Sequence, residues 1–283
     1  MPPVLEYKPN QYWNRLIAEQ FDLRGVGYPY LSKAFNQWLY RGMRRAVDRA
    51  IGMAGLDAHA IADARILDIG SGTGFWIEYW RAMGARRIDG VDLTDASVEH
   101  LARRYPEHSF RQRDIADPLQ PEEHGAYDLI SAMSILHHIA SQARWEAALG
   151  NVASMLAPGG HLLLMDPMLR HAWWGPPFGA SSHGRPRHTA EHVAILKRHG
   201  VEVIGIVPTV SLLANPVDAR TRVSFRLQDL LWHKVLTPLA RSESAMRLVG
   251  APWYALDRGL CSVGFMPNSK TLVCRRNEQP HSE

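Results

Sequence analysis

Between residues 64 and 166 the chain alternates short apolar runs with longer segments of helical periodicity. The runs read "ARILDIG", "RIDGVDL", "HSFRQRD", "YDLISAM" and "GHLLLMD"; the segments between them include "FWIEYWRAMG", "DASVEHLARRY" and "ARWEAALGNVASML". Apolar strands separated by crossover helices predict an α/β fold built on a parallel sheet. The boundaries carry matching chemistry. Ser71 to Gly74 make a turn that opens a helix, Thr94 or Asp95 can cap the next one, and "APGG" stops a helix before residue 160.

Outside that stretch the pattern changes. Residues 1–60 are helical, aromatic and basic ("QYWNRLIAEQ", "FNQWLYRGMRRAVDRAI") and form an N-terminal arm or cap. After residue 166 comes "PMLRHAWWGPPFGASSHGRPRH", and loops of that length are usually functional or disordered. The helix "TAEHVAILKRHG" and strand "VEVIGIVP" resume the alternation, so the α/β core spans 61–208. Residues 209–268 form a mostly helical insertion, and 269–283 hold a last strand, "KTLVCRR", and a tail. An insertion leaving after the sixth strand should emerge at the C-terminal edge of the sheet, and 209–268 is therefore expected to lie over a site there.

Composition narrows the class. Hydrophobic residues make up 46% and charged residues 21%, and no tract is long or apolar enough to span a bilayer. The start, "MPPVLEYKPN", lacks the basic beginning and apolar core of a secretory signal, which points to the cytoplasm. Cys261 and Cys274 are too few for a disulfide framework and have no metal-ligand spacing, so both read as small hydrophobes. A net charge of +4 and a pI near 9.2 raise the question of nucleic acid, but the arginines are scattered. The densest group, Arg41, Arg44, Arg45 and Arg49, reads as the solvated face of an amphipathic helix. No nucleic-acid partner is expected.

The candidate chemistry starts at "RILDIGSGTGFW", residues 65–76. A dinucleotide fingerprint requires G-x-G-x-x-G, with the third glycine allowing close packing of helix on strand. Here Gly70, Gly72 and Gly74 give G-x-G-x-G, and Phe75 stands where that glycine would fall. Asp92 closes the second strand, where a carboxylate can accept both hydroxyls of a ribose. Asp114 ends the third strand, beside the place for an adenine ring, and the fourth strand brings Met133 to the ring's other face. Three acids at the C-terminal ends of three successive strands match a ligand crevice.

With these motifs in order, residues 64–166 resemble the class I S-adenosylmethionine-dependent methyltransferase family. The resemblance places Asp68, Gly70, Gly72 and Gly74 in the first motif, Asp92 with Leu93 at the ribose and Asp114 with Ile115 at the adenine. "LAPGGHLLL" resembles the turn into the family's fifth strand. The resemblance implies a Rossmann-like, seven-stranded, mostly parallel sheet with helices on both faces, a helical N-terminal arm and a helical lid insertion. It implies S-adenosylmethionine as cofactor and S-adenosylhomocysteine as product. About a third of the chain is covered by these motifs.

Since the sulfonium already activates its methyl, a base is optional. His137 and His138 follow the fourth strand and are the catalytic candidates for taking a hydroxyl proton, with pocket packing as the alternative for His138. Neighbouring side chains diverge, so the two are not expected to act as one unit or as a metal pair. His183, His188 and His192 lack the setting of a zinc site, and no metal is expected. Tyr12, Trp13, Trp76, Trp173 and Trp174 are candidates for the substrate pocket, whereas Trp80 and Trp145 sit at helical spacing and read as core.

The expected reaction is methyl transfer to a small molecule, on a hydroxyl or carboxyl oxygen, in a secondary-metabolite or glycan pathway. N- or C-methylation, or binding of S-adenosylmethionine without methylation, are the alternatives. A nucleobase N-methyltransferase would place an Asn or Asp with two prolines where this chain has "SAMS". A magnesium-dependent catechol enzyme would need a carboxylate after the fourth strand.

Overall fold

A computed structural model describes residues 8–176 and 183–278 of the chain. Three helices come first: α1 (Pro9–Glu19), α2 (Lys33–Ala54) and the short α3 (Ala58–Asp63). The alternating stretch then runs β1 (Arg65–Ile69), α4 (Phe75–Ala82), β2 (Arg87–Asp92), α5 (Asp95–Arg104), β3 (Ser109–Gln112), β4 (Tyr127–Met133), α6 (Gln142–Met155) and β5 (Leu156–Asp166). A small pairing of β6 (Met168–Leu169) with β7 (Arg187–His188) bridges the Trp-rich loop, of which residues 177–182 lie outside the described residues. Next come α7 (Thr189–Arg198), β8 (Val201–Val210), α8 (Arg222–Leu231), a π-helical turn (Trp232–Leu236), α9 (Thr237–Arg241), α10 (Glu243–Ser262) and β9 (Ser269–Arg276).

Seven strands form one sheet in the order β3-β2-β1-β4-β5-β9-β8. Neighbours from β3 to β5 are parallel, while β9 runs antiparallel between β5 and β8. The strand order reverses between β1 and β4, and the crevice beyond their C-terminal ends is where an open α/β sheet binds ligands. Successive side chains point to opposite faces, so Ile66, Leu129, Leu163 and Val273 enter one core with α2 and α4. Leu67, Ile130, Leu162 and Leu272 enter the other with α6. Trp80 and Trp145 are fully buried, one in each core.

Local chemistry explains the ends. Ser32 caps α2 by accepting from Phe35 N, and Thr94 caps α5 by accepting from Ser97 N. Two sequence expectations need correction. Helix α6 stops before residue 160 as expected, at Met155, but β5 starts at Leu156 rather than at Gly160, taking in Ala157–Gly160 with Gly159 in the left-handed region (φ 74°) and a register shift against β4. The arginine face of α2 is exposed at Arg41, Arg44 and Arg49, but Arg45 turns inward to Thr209 O (2.9 Å) and the buried Asp257 (3.5 Å).

The 211–268 segment is anchored by buried ions. Asp257 of α10 accepts from the backbone N–H groups of Ser211, Leu212 and Leu213 (2.7, 2.7 and 3.2 Å), fixing the turn out of β8. Glu243, at the start of α10, accepts from Lys33 N and Ala34 N and so complements the positive end of α2. Lys270 of β9 and Asp218 are 1% and 2% exposed and pair at 2.9 Å; Lys270 also donates to the carbonyls of Pro267 and Met168. Burial pulls Lys270 down to about 8. Burial alone would raise the Asp218 carboxyl, but Lys270 and the N–H of Arg170 hold it below its ordinary range.

Removing one partner of such a pair leaves an uncompensated buried charge. Lys270→Met should therefore lower the unfolding free energy by about 3–5 kcal/mol in urea titrations, and Lys270→Met with Asp218→Asn should recover part of that loss. A single-variant loss under about 1 kcal/mol would show that the pair does not hold this part of the fold.

Candidate functional site

The site is built where β1 gives way to α4. Gly70, Gly72 and Gly74 have φ of 73°, 50° and 84°, a left-handed alternation that side chains resist. Gly70 N and Ser71 N donate to Val91 O (2.7 and 3.2 Å), tying the loop to β2. The glycines also serve packing rather than leaving room for a ligand alone. A Cβ on Gly70 would sit 2.3 Å from Ile135, on Gly72 2.6 Å from Val26 and on Gly74 2.6 Å from Leu101.

Asp92 organises the next layer. Its Oδ2 accepts from Gly72 N (2.8 Å), and its Oδ1 accepts from Thr94 N (2.9 Å) and Thr94 Oγ1 (2.7 Å). One carboxylate thus pins both the glycine loop and the capping residue of α5, and burial raises its pKa. Asp114 lies beyond the end of β3, where its Oδ1 accepts from Ala116 N and its Oδ2 pairs with Arg144 at 2.8 Å. Asp68 is 1% exposed; its Oδ1 accepts from Ser131 Oγ (2.7 Å), but its Oδ2 has no hydrogen-bond partner among the described residues, and burial raises the carboxyl to about 7.

A cavity of about 420 Å³ opens over these groups. That is within the ordinary range for a small-molecule site. Gly70, Gly72, Asp92, Leu93, Asp114, Ile115 and Met133 line it, as do Trp13, Trp76 and His138. Asp68, Gly74, His137, Tyr12, Trp173 and Trp174 are not among its lining residues. Tyr12 packs on His183 with ring centres 4.5 Å apart, while Trp173 Nε1 donates to Pro176 O and Trp174 Nε1 to Ala219 O.

The roof comes from the N-terminal arm. Trp13 and Ile17 of α1, Val26 of the following loop and Tyr40 of α2 all reach the cavity. Tyr40 is held in place by donating to Val26 O (3.0 Å). No described residue of 209–268 lines the cavity, which corrects the expectation of a lid from that segment. Its two tryptophans are spent against α2: Trp232 and Trp253 pack on Phe35, with ring centres 6.1 and 5.7 Å apart.

The two histidines sit on a tight 3₁₀ turn, Leu136–His138, where their rings lie 3.9 Å apart. The expected divergence does not occur, because this turn is not the extended chain in which neighbours point to opposite faces. His138 Nδ1 contacts the carbonyl of His183, so Nδ1 carries the hydrogen and Nε2 is the bare nitrogen. Trp13 meets the same ring edge-on at 4.8 Å. His137 Nδ1 pairs with Asp166 Oδ1 at 2.9 Å, at the end of β5. Burial pushes both imidazoles down to about 3 and Asp166 up to about 7. Asp166 Oδ2 has no hydrogen-bond partner among the described residues. Among the described residues no cluster of His, Cys, Asp and Glu could hold a metal ion.

Sequence reasoning missed Tyr40, Arg144 and Ser134, all of which line the cavity. Tyr40 sits at core spacing on its helix, and nothing in the local sequence marks Arg144. Ser134 adopts a left-handed conformation (φ 62°) without being glycine, a strained turn of the kind that gathers at functional sites.

An S-adenosylmethionine fits this donor and acceptor set. The cavity lies at the switch point and has two carboxylates, Asp92 and Asp114, in its lining, and Asp68, two residues before the lining Gly70, keeps a buried carboxylate oxygen with no hydrogen-bond partner among the described residues.

Residues 35–204 match a family model described as "Methyltransferase domain". The chain is 34% identical over 140 residues to the "Highly reducing polyketide synthase NEC1" of Pyricularia oryzae, covering 44% of this chain and 5% of that protein. It is 28% identical over 153 residues to a "Probable S-adenosylmethionine-dependent methyltransferase" of Mycolicibacterium smegmatis, covering 52% of this chain and 55% of the relative. The chain therefore spans a small fraction of the first and about half of the second. Among solved structures, the [4+2]-cyclase SpnF shares the fold, with a TM-score of 0.53 at 18% identity over 83% of this chain and 82% of that one. Sheet order, glycine loop and family match agree, and the chain belongs to the class I S-adenosylmethionine-dependent methyltransferase family.

Proposed function

We propose that this chain transfers a methyl group from S-adenosylmethionine to an oxygen of a small, largely apolar acceptor, with His138 receiving the acceptor's proton. The observation that carries this reading is the make-up of the cavity's lining. Its charged members are Asp92, Asp114, Arg113 and Arg144, and the two arginines are already paired with Glu123 and Asp114. The same lining includes the apolar Trp13, Ile17, Val26, Phe75, Trp76 and Ile135, with His138 in contact with Trp13.

In this assignment Asp92 receives the ribose hydroxyls, Asp114 the adenine amino group, and Ile115 and Met133 flank the ring. Asp68 offers its unpartnered oxygen to the ammonium of the methionine portion. S-adenosylmethionine supplies an electrophilic methyl whose bonding pair to sulfur stays on sulfur as the acceptor oxygen attacks. The aromatic wall excludes water from that path, and Trp13 holds the imidazole in position. The bare Nε2 of His138 takes the proton. Because burial makes this imidazole a weak base, it suits an acidic oxygen, such as a phenol or enol, better than an alkyl alcohol, whereas a carboxylic acid arrives already ionised and needs no base. A fold shared with a [4+2]-cyclase supports a second reading, in which the cofactor is held and methyl transfer is not the reaction. Incubation with mixed phenols, enols and carboxylic acids, followed by mass spectrometry for S-adenosylhomocysteine, separates the two.

Two further outcomes are expected. His138 stays neutral to well below pH 5, so wild-type kcat, measured with S-adenosylmethionine saturating at every pH, should show no histidine inflection near the ordinary value of about 6.5. His138→Asn should cut kcat at pH 7 by about a hundredfold or more, with partial recovery as pH rises and the acceptor ionises unaided. A variant that changes only KM, with no recovery, makes His138 a wall rather than a base.

The second concerns Asp68. Its carboxyl, raised to about 7, is mostly protonated at pH 6 and must ionise to meet an ammonium. S-adenosylhomocysteine should therefore bind about fivefold or more tightly at pH 7.5 than at pH 6, with proton release by calorimetry, and Asp68→Asn should flatten that dependence. Wild-type affinity that is level across this range places the ammonium elsewhere.

A further inference from the structure

The outer face of α8 carries aliphatic side chains where a surface helix ordinarily carries polar ones. Val223, Leu227, Leu230 and Leu231 are 68%, 63%, 56% and 40% exposed, and the stripe continues through Val235 and Leu239. Helical spacing places the first four on one side, across the helix from Phe225 and Trp232, which are buried. The helix is thus apolar on two opposite faces. The inner face packs on Trp173 and Tyr28, whereas the outer one faces solvent. Exposed apolar surface of this extent marks an interaction site rather than scatter.

The charges around the stripe indicate what covers it. Arg220, Arg222, Arg226, Lys234 and Arg241 are all exposed, against one carboxylate in residues 220–241, Asp229, which is itself 3.2 Å from His233. A second copy docked through the same patch would set these cations against each other, because a two-fold contact pairs a surface with itself. The stripe is leucine and valine, without the tyrosine, tryptophan and methionine that enrich protein interfaces. Aliphatic residues flanked by arginine and lysine on a short helix are instead the make-up of an element that lies in a membrane interface.

We propose that the α8–α9 face rests on an anionic phospholipid bilayer, with the aliphatic stripe at the acyl boundary and the flanking cations among the headgroups. The attachment is peripheral: among the described residues no helix is long and apolar enough to cross a membrane. The face is also joined to the site, since Trp232 packs on Tyr28, two residues after the cavity-lining Val26. This inference does not depend on the identity of the methyl acceptor.

The test is co-sedimentation of the full chain with phosphatidylcholine vesicles, with and without phosphatidylglycerol. The chain should partition onto the anionic vesicles, weaken about fivefold for each cation replaced by glutamine at Arg222, Arg226 or Lys234, and release as salt is raised. Leu227→Asp with Leu230→Asp should abolish binding while circular dichroism and S-adenosylhomocysteine affinity stay native. Should that pair misfold, the glutamine variants alone decide the anionic preference. A chain that stays in the supernatant with both vesicles overturns the proposal, as does equal binding to neutral and anionic vesicles. So does a dimer by light scattering that the two aspartates split, which would give the face to a second copy.

Discussion

The carboxylate of Asp92 is the constraint on which the site depends. It accepts from the glycine loop through Gly72 and from the cap of α5 through Thr94, and it still presents an edge to the cavity. A group that only bound a ligand could be lost with the fold intact. Loss of this one also strands a buried N–H of the loop, and an unsatisfied buried donor costs about 1–3 kcal/mol. Loop geometry and local stability are coupled here through one side chain, so the conformation of the loop is held by the protein's own hydrogen bonds.

The parts of the fold that were legible in sequence are those set by local periodicity. "YDLISAM" gives β4 residue for residue, a seven-residue, mostly apolar stretch too short for a core helix. The seven-stranded sheet with helices on both faces followed from the resemblance and is what the chain forms. The positions of Asp92 and Asp114 beside the cavity were also readable, since a residue that ends a parallel strand lies at the ligand edge. Strand β3 is shorter than its apolar run suggests, ending at Gln112 and leaving Asp114 on the following loop.

What covers the cavity was not legible. Val26 and Tyr40 reach it through the packing of α2 on the sheet, and no local pattern distinguishes them from core residues. The 209–268 segment looked like a lid because it leaves β8 at the correct edge. Its direction is set instead by long-range contacts, Glu243 to the start of α2 and Asp257 to the turn after β8. The close approach of the His137 and His138 rings likewise depends on a 3₁₀ turn that two adjacent letters do not announce.

The antiparallel strand β9 has a bearing on how the molecule is made. It lies between β5 and β8, both of which precede it in the chain. While synthesis runs through residues 211–268, at roughly 5–20 residues per second, β5 waits for several seconds with one edge unpaired and β8 with no partner strand at all. Those edges include Leu162–Met165, an aliphatic segment with the character of a cross-β template. The nascent chain is therefore most prone to misassociate during that interval, and the half-sheet β3-β2-β1-β4-β5, which carries the glycine loop and the acids, can form before the right-hand side of the sheet exists.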